Sequence, residues 1–101
     1  MVPELTAREK ADRLADYLRP KVHKDASTYV RPRGTSMVFE IELVHPSRGI
    51  RVVAFSHEWL GDHTIGELTR ELTRLGIAEA LSSKSYLPVL VTNDGVRPYK
   101  P

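Results

Sequence analysis

The chain has no cysteine. That excludes disulfides, thiolate metal sites and a cysteine nucleophile. A secreted domain of this size would ordinarily need such staples, so a reducing, cytoplasmic setting is expected. Long apolar runs are also missing. A helix that crosses a bilayer needs about 20 consecutive apolar residues, so no membrane partner is expected. The opening residues Met1-Val2-Pro3-Glu4-Leu5 carry no basic segment leading into an apolar one, which argues against a signal peptide. Aromatic residues are few, at 7%. Tyr29, Phe39 and Phe55 make no base-stacking pair, because Phe39 belongs to a core pattern, and this disfavours single-strand recognition by stacking. Gly34, Gly61, Gly66, Gly76 and Gly95 lack phosphate-loop spacing. No organic cofactor is implied.

What remains is an ordinary globular composition, with 41% apolar and 28% charged residues in 101. This suits one domain over residues 1–101 with a thin core. The net charge is +2, but its distribution is uneven. From Arg19 to Arg51 the bases are Arg19, Lys21, Lys24, Arg31, Arg33, Arg48 and Arg51, against Asp25, Glu40 and Glu42. The rest of the chain is therefore slightly acidic. A basic segment of this kind suits an anionic partner on one face, or a solvated hairpin.

Helix signals open the chain. Thr6-Ala7-Arg8-Glu9 is a capping box. Ala7, Ala11, Leu14, Ala15 and Leu18 then form one stripe, with Arg8, Lys10, Asp12, Arg13 and Asp16 opposite. This predicts a helix from about Ala7 to Arg19, ended by Pro20. Ser27 to Arg31 reads as a short strand. Met37 to His45 reads as the strongest strand, with Phe39, Ile41 and Leu43 on one side and Glu40 and Glu42 on a wet side. His45-Pro46-Ser47-Arg48-Gly49 is a turn by composition, and Ile50 to Phe55 completes an antiparallel hairpin.

Ser56 to His63 reads as a loop carrying Trp59. Thr64-Ile65-Gly66-Glu67 is a second capping box, and Ile65, Leu68, Leu72 and Leu75 form the stripe of its helix. Gly76 stops that helix. Ala78 to Ser83 adds a helical turn, Leu87 to Thr92 a last strand, and Asn93-Asp94-Gly95 a turn. Pro88 points to an edge position for the last strand. Val96 to Pro101 reads as a flexible tail. The fold class is α+β: a two-layer sandwich in α-β-β-β-α order, with an antiparallel sheet plus a C-terminal strand.

From about Leu5 to Ile77 the chain resembles the HicA-like toxins, small ribonucleases with a double-stranded-RNA-binding-domain-like fold. Arg33-Gly34-Thr35-Ser36 falls where that family has a Gly-Ser-His turn. His45-Pro46 falls at its hairpin turn, and Asp62-His63-Thr64-Ile65-Gly66-Glu67-Leu68 leads into its last helix, closed by Leu75-Gly76-Ile77. The resemblance implies the fold and a surface that faces nucleic acid. It does not carry the nuclease chemistry: the catalytic histidine has no counterpart after Gly34, and neither Thr35 nor Ser36 is a base near neutral pH.

Candidate site residues follow from charge. Lys21, Lys24, Arg31, Arg33, Arg48 and Arg51 flank the predicted hairpin, and duplex RNA or DNA is held mainly by dispersed phosphate contacts of this type. The expected function is a non-catalytic nucleic-acid-binding module. The alternative is a small protein-interaction or regulatory protein, an inhibitor or assembly factor. It would use Trp59 and the apolar edge strand Leu87–Thr92, with a homodimer among its forms. His57-Glu58 and Asp62-His63 place four metal-capable groups in one loop, but not at helical ligand spacing. No metal is expected, and no nucleophile accompanies either histidine.

Overall fold

The computed structural model describes residues 5–100. The first four residues of the segment considered for a signal pattern, and Pro101 of the tail, lie outside that range. The capping box forms as the spacing predicts. The Glu9 amide donates to Thr6 Oγ1 at 3.1 Å and the Thr6 amide donates to Glu9 Oε1 at 3.0 Å. Helix α1 runs Ala7–Val22 and so passes through Pro20. Proline there forfeits one intrahelical bond. In return the helix carries Val22, 9% exposed, into the core one turn beyond Leu18.

Strand β1 is Ser27–Arg33, β2 is Val38–His45 and β3 is Gly49–Ser56. They pair antiparallel, with Ile41 opposite Val30 on one side and Val53 on the other. The turn between β2 and β3 closes on Gly49, whose φ of 78° favours glycine. The expected loop 56–63 contains helix α2, His57–Asp62, because the Ser56 hydroxyl accepts from the Trp59 amide and caps it. Helix α3, Ile65–Arg74, starts at the second capping box. Gly76, at φ 67°, separates it from α4, Ile77–Ser82.

The C-terminal segment departs most from the sequence reading. Strand β4, Val89–Thr92, is not an edge. It lies parallel to β3 and antiparallel to β5, Gly95–Pro98, in a sheet ordered β1-β2-β3-β4-β5. The sheet is therefore mixed rather than antiparallel. Helices α2 to α4 form the crossover that a parallel pair requires. The predicted tail is largely β5, followed by Tyr99, whose amide donates to the Pro88 carbonyl at 3.0 Å.

The fold is α+β, with four helices and a five-stranded sheet among the described residues. One core joins Leu14 and Leu18 of α1 to Ile41, Phe55, Leu72 and Val91. No helix among the described residues is long and apolar enough to cross a membrane.

Both edge strands contain a proline, and both prolines face outward. On β1 the Arg8 guanidinium reaches the outward carbonyl of Val30 at 3.5 Å. Pro32, two residues on, shares that orientation, so the N–H it lacks would have pointed to solvent. On β5 the inward bond of Tyr99 puts Pro98 in the outward position. An outward proline costs the sheet no ladder bond and gives an incoming strand no donor. This is how β1 extends beyond Arg31 through Pro32.

Candidate nucleic-acid interface

Strand register divides the six predicted phosphate contacts into two groups. Arg31 and Arg33 lie on the sheet face away from the helices, beside the acids of β2. Arg31 Nε pairs with Glu42 Oε1 at 3.3 Å, and Arg33 Nε with Glu40 Oε2 at 3.1 Å. That face is less wet than its alternation predicts. Glu40 is 2% exposed, because it also accepts from the Tyr99 hydroxyl. Both arginines are about half exposed but already matched by carboxylates.

The other four gather at one end of the molecule, where the C-terminus of α1 meets the β2–β3 turn. The His23 and His45 rings meet edge to face, with centroids 4.6 Å apart. His45 Nδ1 accepts from the Ser47 amide at 3.1 Å and the Arg48 amide at 3.2 Å. The Arg48 guanidinium donates to the Ser82 carbonyl at the end of α4. Ser82 and Lys21 line one shallow groove with Ala78 and Glu79. Lys21 also stacks over the Tyr17 ring at 4.7 Å. Lys24 is exposed in the turn after His23.

Arg51 differs from the other five. It is only 9% exposed, it lies 4.6 Å over the Tyr86 ring, and its Nε is buried without an acceptor. Burial holds the His45 imidazole below its ordinary range, and the charges of His23, Arg48 and Arg51 act in the same sense.

The remaining candidates are placed elsewhere. Trp59 is 2% exposed and packs on Phe55 with ring centroids 5.3 Å apart, so it belongs to the core and is not a free anchor. The His57 ring lies 4.6 Å from Phe39, with Nε2 buried and unbonded. His63 Nδ1 donates to the Trp59 carbonyl at 2.8 Å. Asp62 accepts from Asn93 at 2.9 Å. These groups do not converge, and among the described residues no cluster of three or more His, Asp or Glu is placed to hold a metal ion. A cleft of about 290 Å³ lies beside His63, Glu67, Arg70 and Glu71. Glu71 there is engaged by Arg74 and Glu67 by the Thr64 cap.

Lys10 is the residue the stripe reading misplaced. It is 2% exposed, and its Nζ donates to the carbonyls of Leu60 at 2.8 Å and His63 at 2.7 Å, which closes the end of α2. The signal was its position four residues before Leu14, on the buried side of the helix.

Comparison of the chain with protein-family models, curated proteins and solved structures finds no match.

Proposed function

We propose that this chain is a non-catalytic nucleic-acid-binding module whose phosphate contacts are made by the basic end of the molecule. The observation that carries this reading is the His23–His45 pair, with Arg48 and Arg51 close enough for their charges to act on His45 and Lys21 and Lys24 flanking His23 along the chain. Phosphate backbones are held by dispersed cations of this kind, and the affinity falls steeply with salt. Arg31 and Arg33 contribute less, because binding a phosphate there means competing with Glu42 and Glu40. The order α1-β1-β2-β3 followed by α3 supports a double-stranded-RNA-binding-like scaffold, with duplex RNA or DNA as ligand. A cysteine-free chain of this kind fits the cytoplasm.

Fluorescence anisotropy with labelled duplex RNA, duplex DNA and single-stranded RNA, at low and near-physiological salt, tests the proposal. Salt-sensitive duplex binding supports it, and no binding at low salt removes it. A protein partner, including a second copy of the chain, is the second reading. It draws on Tyr29 and Ile50, which are 55% and 58% exposed on the open sheet face. Light scattering and pull-down test it.

A further inference from the structure

Arg51 occupies a position that would ordinarily be apolar. In the β2–β3 register it stands opposite Leu43, on the face that packs against the helices. Its guanidinium is backed by the Tyr86 ring, and Tyr86 is itself fixed because its hydroxyl accepts from the Val52 amide and donates to the Val52 carbonyl. Arg51 belongs to no ion pair among the described residues, unlike Arg8, Arg31, Arg33, Arg74 and Arg97. An arginine nine-tenths buried, with its Nε unbonded and no counter-ion, is costly. It is most economically explained by an anion that arrives from outside the chain.

The neighbours of Arg51 offer donors. His45 lies diagonally across from it, and the residue paired with His45 is Gly49, which has no side chain. A Cβ at Gly49 would meet nothing within 4 Å, so the space beside the ring is open. His45 Nδ1 is occupied as an acceptor for the Ser47 and Arg48 amides. His23 Nδ1 likewise accepts from the Asp25 amide at 3.0 Å. With Nδ1 of each ring accepting, the proton sits on Nε2, which makes each ring a donor at that nitrogen. Arg48 spends one donor on Ser82 and retains the others. The charged groups around this point are Arg48 from the turn, Arg51 from β3, and Lys21 and Lys24 from the end of α1. The acids placed beside them are Asp25, next to Lys24 in the turn after α1, and Glu79, which lines the groove with Lys21. A cluster of donors converging from a strand, a turn and a helix end is matched to an ion with several acceptor oxygens.

We propose that Arg51, Arg48, His45 and His23 form a binding site for a phosphoryl group. The proposal rests on the phosphate-binding reading in that it names one subsite of the basic end, but its own measurement is separate. The phosphoryl group would come from a nucleic-acid strand or from a free phosphate, and both present the same oxygens.

The test is NMR of the histidine ring resonances in ¹⁵N-labelled protein. Sodium phosphate is titrated against chloride of equal ionic strength, near neutral pH and again about one unit lower. The expected result is saturable movement of His23 and His45, while His57 and His63 stay still. Phosphate should also raise the titration midpoint of His45. Arg51→Gln should weaken binding by at least about tenfold, since a charge-assisted contact is lost. Should that variant unfold, Arg48→Gln on the exposed turn provides the same comparison with a smaller loss. Movement that never saturates, or that is shared equally by all four histidines, would overturn the site. A labelled duplex separates the two readings. Phosphate saturation that duplex does not compete with upholds the site and removes the nucleic-acid reading. Duplex binding without phosphate saturation does the reverse.

Discussion

The hydroxyl of Tyr99, one residue past the last strand, donates to the carboxylate of Glu40 on β2. Two strands lie between them. Between them the row of Glu40 holds Ala54 on β3 and Leu90 on β4. Tyr99 therefore fastens the C-terminal segment over the open face and, with Arg33, supplies the donors that a buried carboxylate needs.

Tyr99→Phe removes one donor from Glu40 while leaving the ring in place. The expected loss is about 1–2 kcal/mol in urea unfolding. The phenol also ties stability to alkaline pH. Burial, then the bond to Glu40, pushes its pKa up to about 12. The unfolded chain releases that proton near pH 10. The contribution is therefore complete below about pH 10 and is lost as pH rises towards the folded value. The wild-type protein should lose stability over that interval, and Tyr99→Phe should lose less. Parallel curves for the two proteins would contradict the assignment.

Lys10→Met keeps most of the side-chain volume but leaves the carbonyls of Leu60 and His63 without their shared donor. Two under-satisfied acceptors should cost roughly 2–4 kcal/mol. Amide exchange should quicken most in α2, whose end Lys10 closes. A change near zero would mean that water replaces the ammonium freely.

Replacing Pro32 and Pro98 together by valine restores an outward N–H on each edge. Thermal stability should change little, because neither position carries a ladder bond in the native sheet. Self-association should rise, read as a concentration-dependent mass by light scattering. A double variant that stays as monodisperse as the wild type would show that the prolines do not guard the edges.

His45 predicts acid sensitivity. Its imidazole is held below the ordinary range by burial and by neighbouring cations. The unfolded chain therefore takes up that proton first as pH falls through about 6.5, and stability declines below that point. His45→Asn should flatten the decline in the acid limb of a pH–stability curve. An unchanged limb would assign the decline to other groups.

These relationships differ in how far the sequence discloses them. Thr6 with Glu9 and Thr64 with Glu67 are three residues apart, so their capping boxes are local and could be read directly. The same holds for Gly76 and for the alternation of Phe39, Ile41 and Leu43. The parallel pairing of β3 with β4 leaves no local trace, because the strands are separated by three helices. Helix α1 runs through Pro20, β1 through Pro32 and β5 up to Pro98, for one reason. The rule that proline breaks an element concerns its missing N–H, and here the fold leaves that position unneeded or offsets its loss.

The candidate site divides in the same way. Its residue types and their concentration between Arg19 and Arg51 are visible in the sequence. Register then removes Arg31 and Arg33 into pairs with Glu42 and Glu40, and brings in His23 and His45, which carry no charge in a neutral count. Trp59 and the strand near Leu87–Thr92 looked available because loops and edges usually are. The short helix α2 and the added strand β5 enclose them.

The most direct measurement compares two variants in one salt-dependent anisotropy titration with duplex RNA and duplex DNA. One carries Lys21→Gln, Lys24→Gln and Arg48→Gln, and the other carries Arg31→Gln and Arg33→Gln. The basic-end variant should lose affinity and flatten the salt slope by roughly one unit per lost phosphate contact. The sheet-face variant should bind nearly as the wild type does. The opposite ranking, or equal binding by all three proteins, would contradict the basic end as the phosphate-contacting surface.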